Sequence, residues 1–183
     1  MKSKSSVLGA VIMAAILAVP ALGAAIAEKP MQVDVGSPMK AAQQVSYDLS
    51  KTADRLQAIT RSGGHSWQTH ASYLSAARDN VNRLGKMLGD LERLKPYGTE
   101  TQQLAIEKMR PQLVATADAL TNAIELLNDR HHNLYFTEYR EAVQTVSAQV
   151  DSLHQALDAV SDYEAAKARL GSLELLPPEQ KGS

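Results

Sequence analysis

Apolar residues recur along this chain in steps of three and four, and the pattern appears four times with polar breaks between. In the first segment Ala42, Val45, Leu49, Thr52, Leu56 and Ile59 carry it. In the second the run is Trp67, His70, Leu74, Ala77, Val81, Leu84, Leu88 and Leu91. The third uses Ile106, Met109, Leu113, Ala117, Leu120, Ile124 and Leu127. The fourth uses Phe136, Tyr139, Val143, Val146, Val150, Leu153, Leu157 and Val160, and fades towards Leu170. Such spacing marks one narrow face of a helix, whereas a strand would alternate.

The breaks carry helix punctuation. Ser37-Pro38 offers a serine cap and a proline where a missing N–H costs nothing. Gly63-Gly64 ends the first segment, and the second begins at His65 or Ser66. Lys95-Pro96-Tyr97-Gly98 closes the second, and Thr99-Glu100-Thr101-Gln102 has the spacing of a capping box opening the third. Pro111 removes one backbone bond inside the third segment, which predicts a kink. Asn128 to Asn133 is a polar turn, and Gly171 followed by Pro177-Pro178 ends the fourth segment.

Four amphipathic helices with short links make successive helices antiparallel. The expected fold is therefore all-α, an up-down-up-down four-helix bundle with coiled-coil-like packing. A helix of roughly 30 residues makes a rod roughly 45 Å long.

Upstream, Lys2 and Lys4, the apolar run Val7 to Val19, Pro20 and the small-residue ending Ala25-Ile26-Ala27 read as a secretory signal peptide. Ala21-Leu22-Gly23 is an alternative cleavage site. An uncleaved anchor is the competing reading, because Val7 to Ala27 is an uncharged run of 21 residues. Either way the remainder is exported, to the periplasm or the exterior. The domain plan is a signal peptide at 1–27, a flexible leader at 28–37, the bundle at 38–172 and a polar tail at 173–183.

Composition narrows the chemistry. There is no cysteine, which excludes disulfides, thiolate metal sites and covalent c-type haem attachment. The net charge of -1 becomes -3 once cleavage after Ala27 removes two lysines, so nothing global draws the chain to nucleic acid. Arg78, Arg83, Lys86, Arg93 and Lys95 interleave with Asp79, Asp90 and Glu92 as a solvated face. Gly85 and Gly89, four apart on the second helix, either admit close approach of a neighbouring helix or a partner or simply leave a thin surface strip.

Antiparallel threading gathers rare residues at one end of the rod. His65, His70, His131 and His132 come together there, along with Trp67, Tyr73, Tyr135, Phe136 and Tyr139. That is four of five histidines and five of eight aromatics. Imidazoles can bind Zn, Cu or Ni, and aromatics can floor a pocket or present a partner surface. The simpler possibility is that Trp67 and Phe136 cap the core. His70 falls on the apolar stripe, where a buried imidazole needs a partner such as a tyrosine hydroxyl or a backbone carbonyl.

Other bundle chemistries find no foothold. Paired Glu-x-x-His motifs are absent, and Asp151-x-x-His154 stands alone. Met39 and His154 fall at different levels of the rod, unsuited to sharing a haem. There is no nucleophile elbow, phosphate loop or dinucleotide fingerprint. The expected function is therefore non-enzymatic and cofactor-free: a bundle that binds a partner protein or small ligand, as monomer or homodimer. A metal-binding bundle using the histidine tip is the alternative.

Overall fold

The computed structural model describes residues 33–63, 65–130, 133–134 and 136–174. The signal segment, residues 28–32 of the leader, Gly64, His131, His132, Tyr135 and the tail after residue 174 lie outside the described residues. Four α-helices carry the fold: α1 (Gly36–Ser62), α2 (Trp67–Leu94), α3 (Glu100–Asp129) and α4 (Thr137–Glu174), with one 3₁₀ turn at Lys95–Tyr97. There is no strand among the described residues.

The helices pack in a ring: each lies against its sequence neighbours, and α1 closes on α4. Side-chain links give the directions. Gln43 near the start of α1 accepts a hydrogen bond from Ser161 late in α4, while Ser50, further along α1, meets Asp151 earlier in α4. Lys95 pairs with Glu107 and Arg110 with Glu92 where α2 turns back into α3. Thr99 and Gln112 of α3 bond Glu164 and Ser152 of α4. In these three pairs the helices therefore run in opposite directions along their contacts.

Local sequence explains most helix boundaries. Ser66 caps α2 by accepting the Thr69 N–H, and Thr99 and Gln102 form the expected reciprocal capping box of α3. The start of α1 differs from expectation. Ser37 is already helical, and the Asp34 carboxylate accepts the Ser37 N–H at 3.1 Å. Hydrogen bonding to the charged form, first from the Ser37 side chain and then from its backbone N–H, holds the Asp34 carboxyl below its usual range. Val35, assigned to the flexible leader, is buried in the core.

Helix α3 runs unbroken through Pro111. Pro111 and Glu107, whose carbonyl loses its helical donor, are both solvent-exposed, which leaves the freed carbonyl within reach of solvent. Helix α4 likewise continues through Gly171 to Glu174 instead of stopping at the glycine.

The core follows the stripes with one systematic slip. Ala42, Val45, Leu49 and Leu56 are buried as expected, but Ala53 and Thr60 replace Thr52 and Ile59. An α-helix has 3.6 residues per turn, so a strict 3.5 repeat drifts about 20° per heptad and the buried face must take extra steps of four. In α3 the same drift buries Thr116 and Ala119 beside Ala117. The buried hydroxyls of Thr60 and Thr116 donate to the carbonyls of Leu56 and Gln112 in their own helices. No described helix is long and apolar enough to cross a membrane.

Candidate functional site

The described residues singled out by sequence lie at the end of the bundle where α1 meets α2, some buried and some at the surface. His70 (2% exposed) and Tyr139 are buried, with His70 Nδ1 2.9 Å from the Tyr139 hydroxyl. Their rings are tilted, with centroids 5.6 Å apart, and the Phe136 ring lies 5.9 Å from that of Tyr139. Burial lowers the His70 pKa from its ordinary value, and repulsion from His65 adds to this. Burial also raises the Tyr139 phenol well above its ordinary range. The pair is thus two neutral groups satisfying each other inside apolar surroundings. It matches the tyrosine-bonded core histidine anticipated from the stripe.

At the surface, Trp67 starts α2 with 43% of its area exposed, and His65 is exposed two residues before it. Tyr73 is half-buried against the core, and the Arg130 guanidinium lies 5.1 Å from the Phe136 ring. His131, His132 and Tyr135 lie outside the described residues. Among the described residues no three His, Asp or Glu side chains are grouped so as to hold a metal. His70 cannot offer Nδ1 without giving up Tyr139.

A second polar constellation, which sequence reasoning missed, lies between α1 and α4 towards the other end. Ser46 Oγ is 3.0 Å from His154 Nδ1, and His154 Nε2 is 3.2 Å from Asp158 Oδ2. The residue types are those of a hydrolytic triad, but the geometry does not serve one. Ser46 is 1% exposed, and its hydroxyl donates to the Gln43 carbonyl at 2.8 Å. It sits mid-helix, where backbone N–H groups are used by the helix and cannot form an oxyanion hole. The group acts as a clamp between helices, extended by Gln43 donating to the Leu157 carbonyl and accepting from Ser161. Asp158 follows His154 by one turn, a spacing visible in sequence; Ser46 joins them only through helix register.

Two open pockets flank this clamp. One, of about 310 Å³, is lined by Lys40, Gln43, Tyr47, His154 and Asp158. The other, of about 470 Å³, includes Lys40, Gln102, Asp162 and Glu164. Both mix charges of either sign. Tyr47 lies between two cationic or polar neighbours, with Lys51 Nζ 4.3 Å from its ring and the His154 ring 5.9 Å away.

Compared with protein-family models, curated proteins and solved structures, the chain matches none of them.

Proposed function

We propose that this chain is an exported, non-enzymatic up-down-up-down bundle with coiled-coil-like packing that works by binding a partner protein or small ligand at its aromatic tip. The observation that carries this reading is Trp67. The chain's only tryptophan stands 43% exposed at the first turn of α2, three residues before His70 of the satisfied His70–Tyr139 pair. A large amphipathic ring presented on a rigid helix end is the residue type that dominates recognition surfaces. The internal use of His70, Tyr139, Ser46 and His154 supports binding over catalysis, because each polar group there is committed to holding helices together.

Export rests on the amino-terminal pattern, and cleavage after Ala27 frees the bundle from the membrane. Sequencing the mature amino terminus tests this: Glu28 first is expected, and an intact Met1 would overturn cleavage. Native mass spectrometry of protein extracted from the envelope tests the tip. The wild type is expected to carry a bound molecule or partner that the Trp67→Ala variant lacks. Bare chain in both samples, or equal retention by both, would overturn the assignment. The same spectra read metal content, which a histidine-tip metal site requires and a binding surface does not.

A further inference from the structure

We propose a second site, independent of the aromatic tip: a phosphate-type oxyanion site on the seam between α1 and α4, formed by Gln57 and Arg61 on α1 and Arg140 and Gln144 on α4. These four side chains line one crevice of about 70 Å³, floored by Thr60 and Val143. Within each helix the two residues are four apart and so share a face.

The register of the seam makes the arrangement unusual. Lower down, each rung pairs complementary groups: Gln43 with Ser161 and the Leu157 carbonyl, Ser46 with His154, and Ser50 with Asp151. Continuing the Ser50–Asp151 register upward sets Gln57 opposite Gln144 and Arg61 opposite Arg140. The top rung therefore brings one positive charge to another, and the rung below it offers two amides able to turn their N–H groups towards the crevice. Arg61 and Arg140 are both solvent-exposed, so their mutual repulsion is modest and greatest at low salt. None of the four side chains has a hydrogen-bond or ion-pair partner among the described residues. Glu138 and Glu141 lie on the same turns of α4 as Arg140 but do not line the crevice. Arg140 also belongs to the first turn of α4, whose dipole favours an anion.

An anion seated between the arginines resolves this arrangement, and the chemistry selects its class. Two guanidinium forks and two amides supply more N–H groups than the two oxygens of a carboxylate can accept, whereas a tetrahedral oxyanion presents four. The crevice, at about 70 Å³, is small and suits a compact ion rather than a large organic ligand. The anion is thus free phosphate or sulfate, or a phosphate borne by a lipid headgroup.

The test is a nitrogen-15 NMR titration of the mature chain with sodium phosphate, sulfate, acetate and chloride at constant ionic strength. Saturable millimolar shifts of the Arg61 and Arg140 Nε–H and the Gln57 and Gln144 amides are expected with phosphate and sulfate, with acetate and chloride far weaker. Arg61→Gln/Arg140→Gln should weaken phosphate binding by about tenfold or more, while Arg78→Gln leaves it unchanged. Without phosphate at low salt, the single variant Arg61→Gln should be as stable as the wild type or more so, because it relieves repulsion. Equal shifts with chloride, shifts that survive the double variant, or a loss of stability in Arg61→Gln would each overturn the site. Arginine-dependent sedimentation with phosphatidic acid vesicles would identify a headgroup as the source. Its absence, with phosphate binding retained, would identify soluble phosphate.

Discussion

Tyr139→Phe isolates one hydrogen bond in the core and should be felt strongly. The substitution removes the hydroxyl that meets His70 Nδ1 at 2.9 Å and leaves the ring that packs on Phe136, so no cavity forms. His70 is 2% exposed, and the imidazole nitrogen is left without its partner in a site water does not readily reach. Orphaning a buried polar group costs about 1–3 kcal/mol. His70→Leu orphans the phenol instead, with a similar cost partly offset by the added apolar burial. The double variant leaves an apolar pair and should recover most of the loss, so the two single effects will not add. Urea unfolding followed by far-ultraviolet circular dichroism and Trp67 fluorescence measures this. With a slope of about 1–3 kcal/mol per molar urea, a 2 kcal/mol loss moves the midpoint by about 1 M. A Tyr139→Phe loss below about 0.5 kcal/mol, or strict additivity in the double variant, would refute the argument that the pair is a mutually satisfied buried unit.

Other outcomes follow from the same contacts. Burial depresses the His70 pKa, so the unfolded chain takes up its proton first; this contribution to stability is full above about pH 6.5 and falls as pH drops below it. Unfolding measured across that window should show the loss in wild type and a shallower one in the His70→Leu/Tyr139→Phe variant. A β-carbon on Gly89 meets nothing within 4 Å, so Gly89→Ala should raise stability by about 0.5–1 kcal/mol in urea titration. Leu153→Ala, at a fully buried position, should cost about 2–5 kcal/mol, and Leu104→Ala, at a half-exposed one, should stay within about 0.5 kcal/mol by the same assay.

Much of the fold was legible because it is written in local periodicity and caps. Ser66, Thr99 and Gln102 act on backbone groups three residues away, so their roles can be read without knowing what packs where. The start of α1 was misplaced because Asp34 and Ser37 both suit a cap, and the charged carboxylate of Asp34 takes the N–H. The strip at Gly85 and Gly89 also lost its suggested role inside the fold. An added β-carbon at Gly85 makes only ordinary contact with Leu113, and at Gly89 it meets open space.

The candidate sites needed more than periodicity. His70 could be placed on a buried stripe from its spacing alone, but its partner is 69 residues away in the chain and was one of several tyrosines available. Ser46 and His154 are 108 residues apart and meet only because α1 and α4 run in opposite directions at one particular register. The facing of Arg61 and Arg140 depends on that same register. By itself the sequence determined the four helices, their buried faces and most of their ends, because those depend on interactions within a few residues. Tertiary structure decided which side chains became partners. A helix stripe specifies a direction to bury, and only the axial offset between two packed helices determines which rungs coincide.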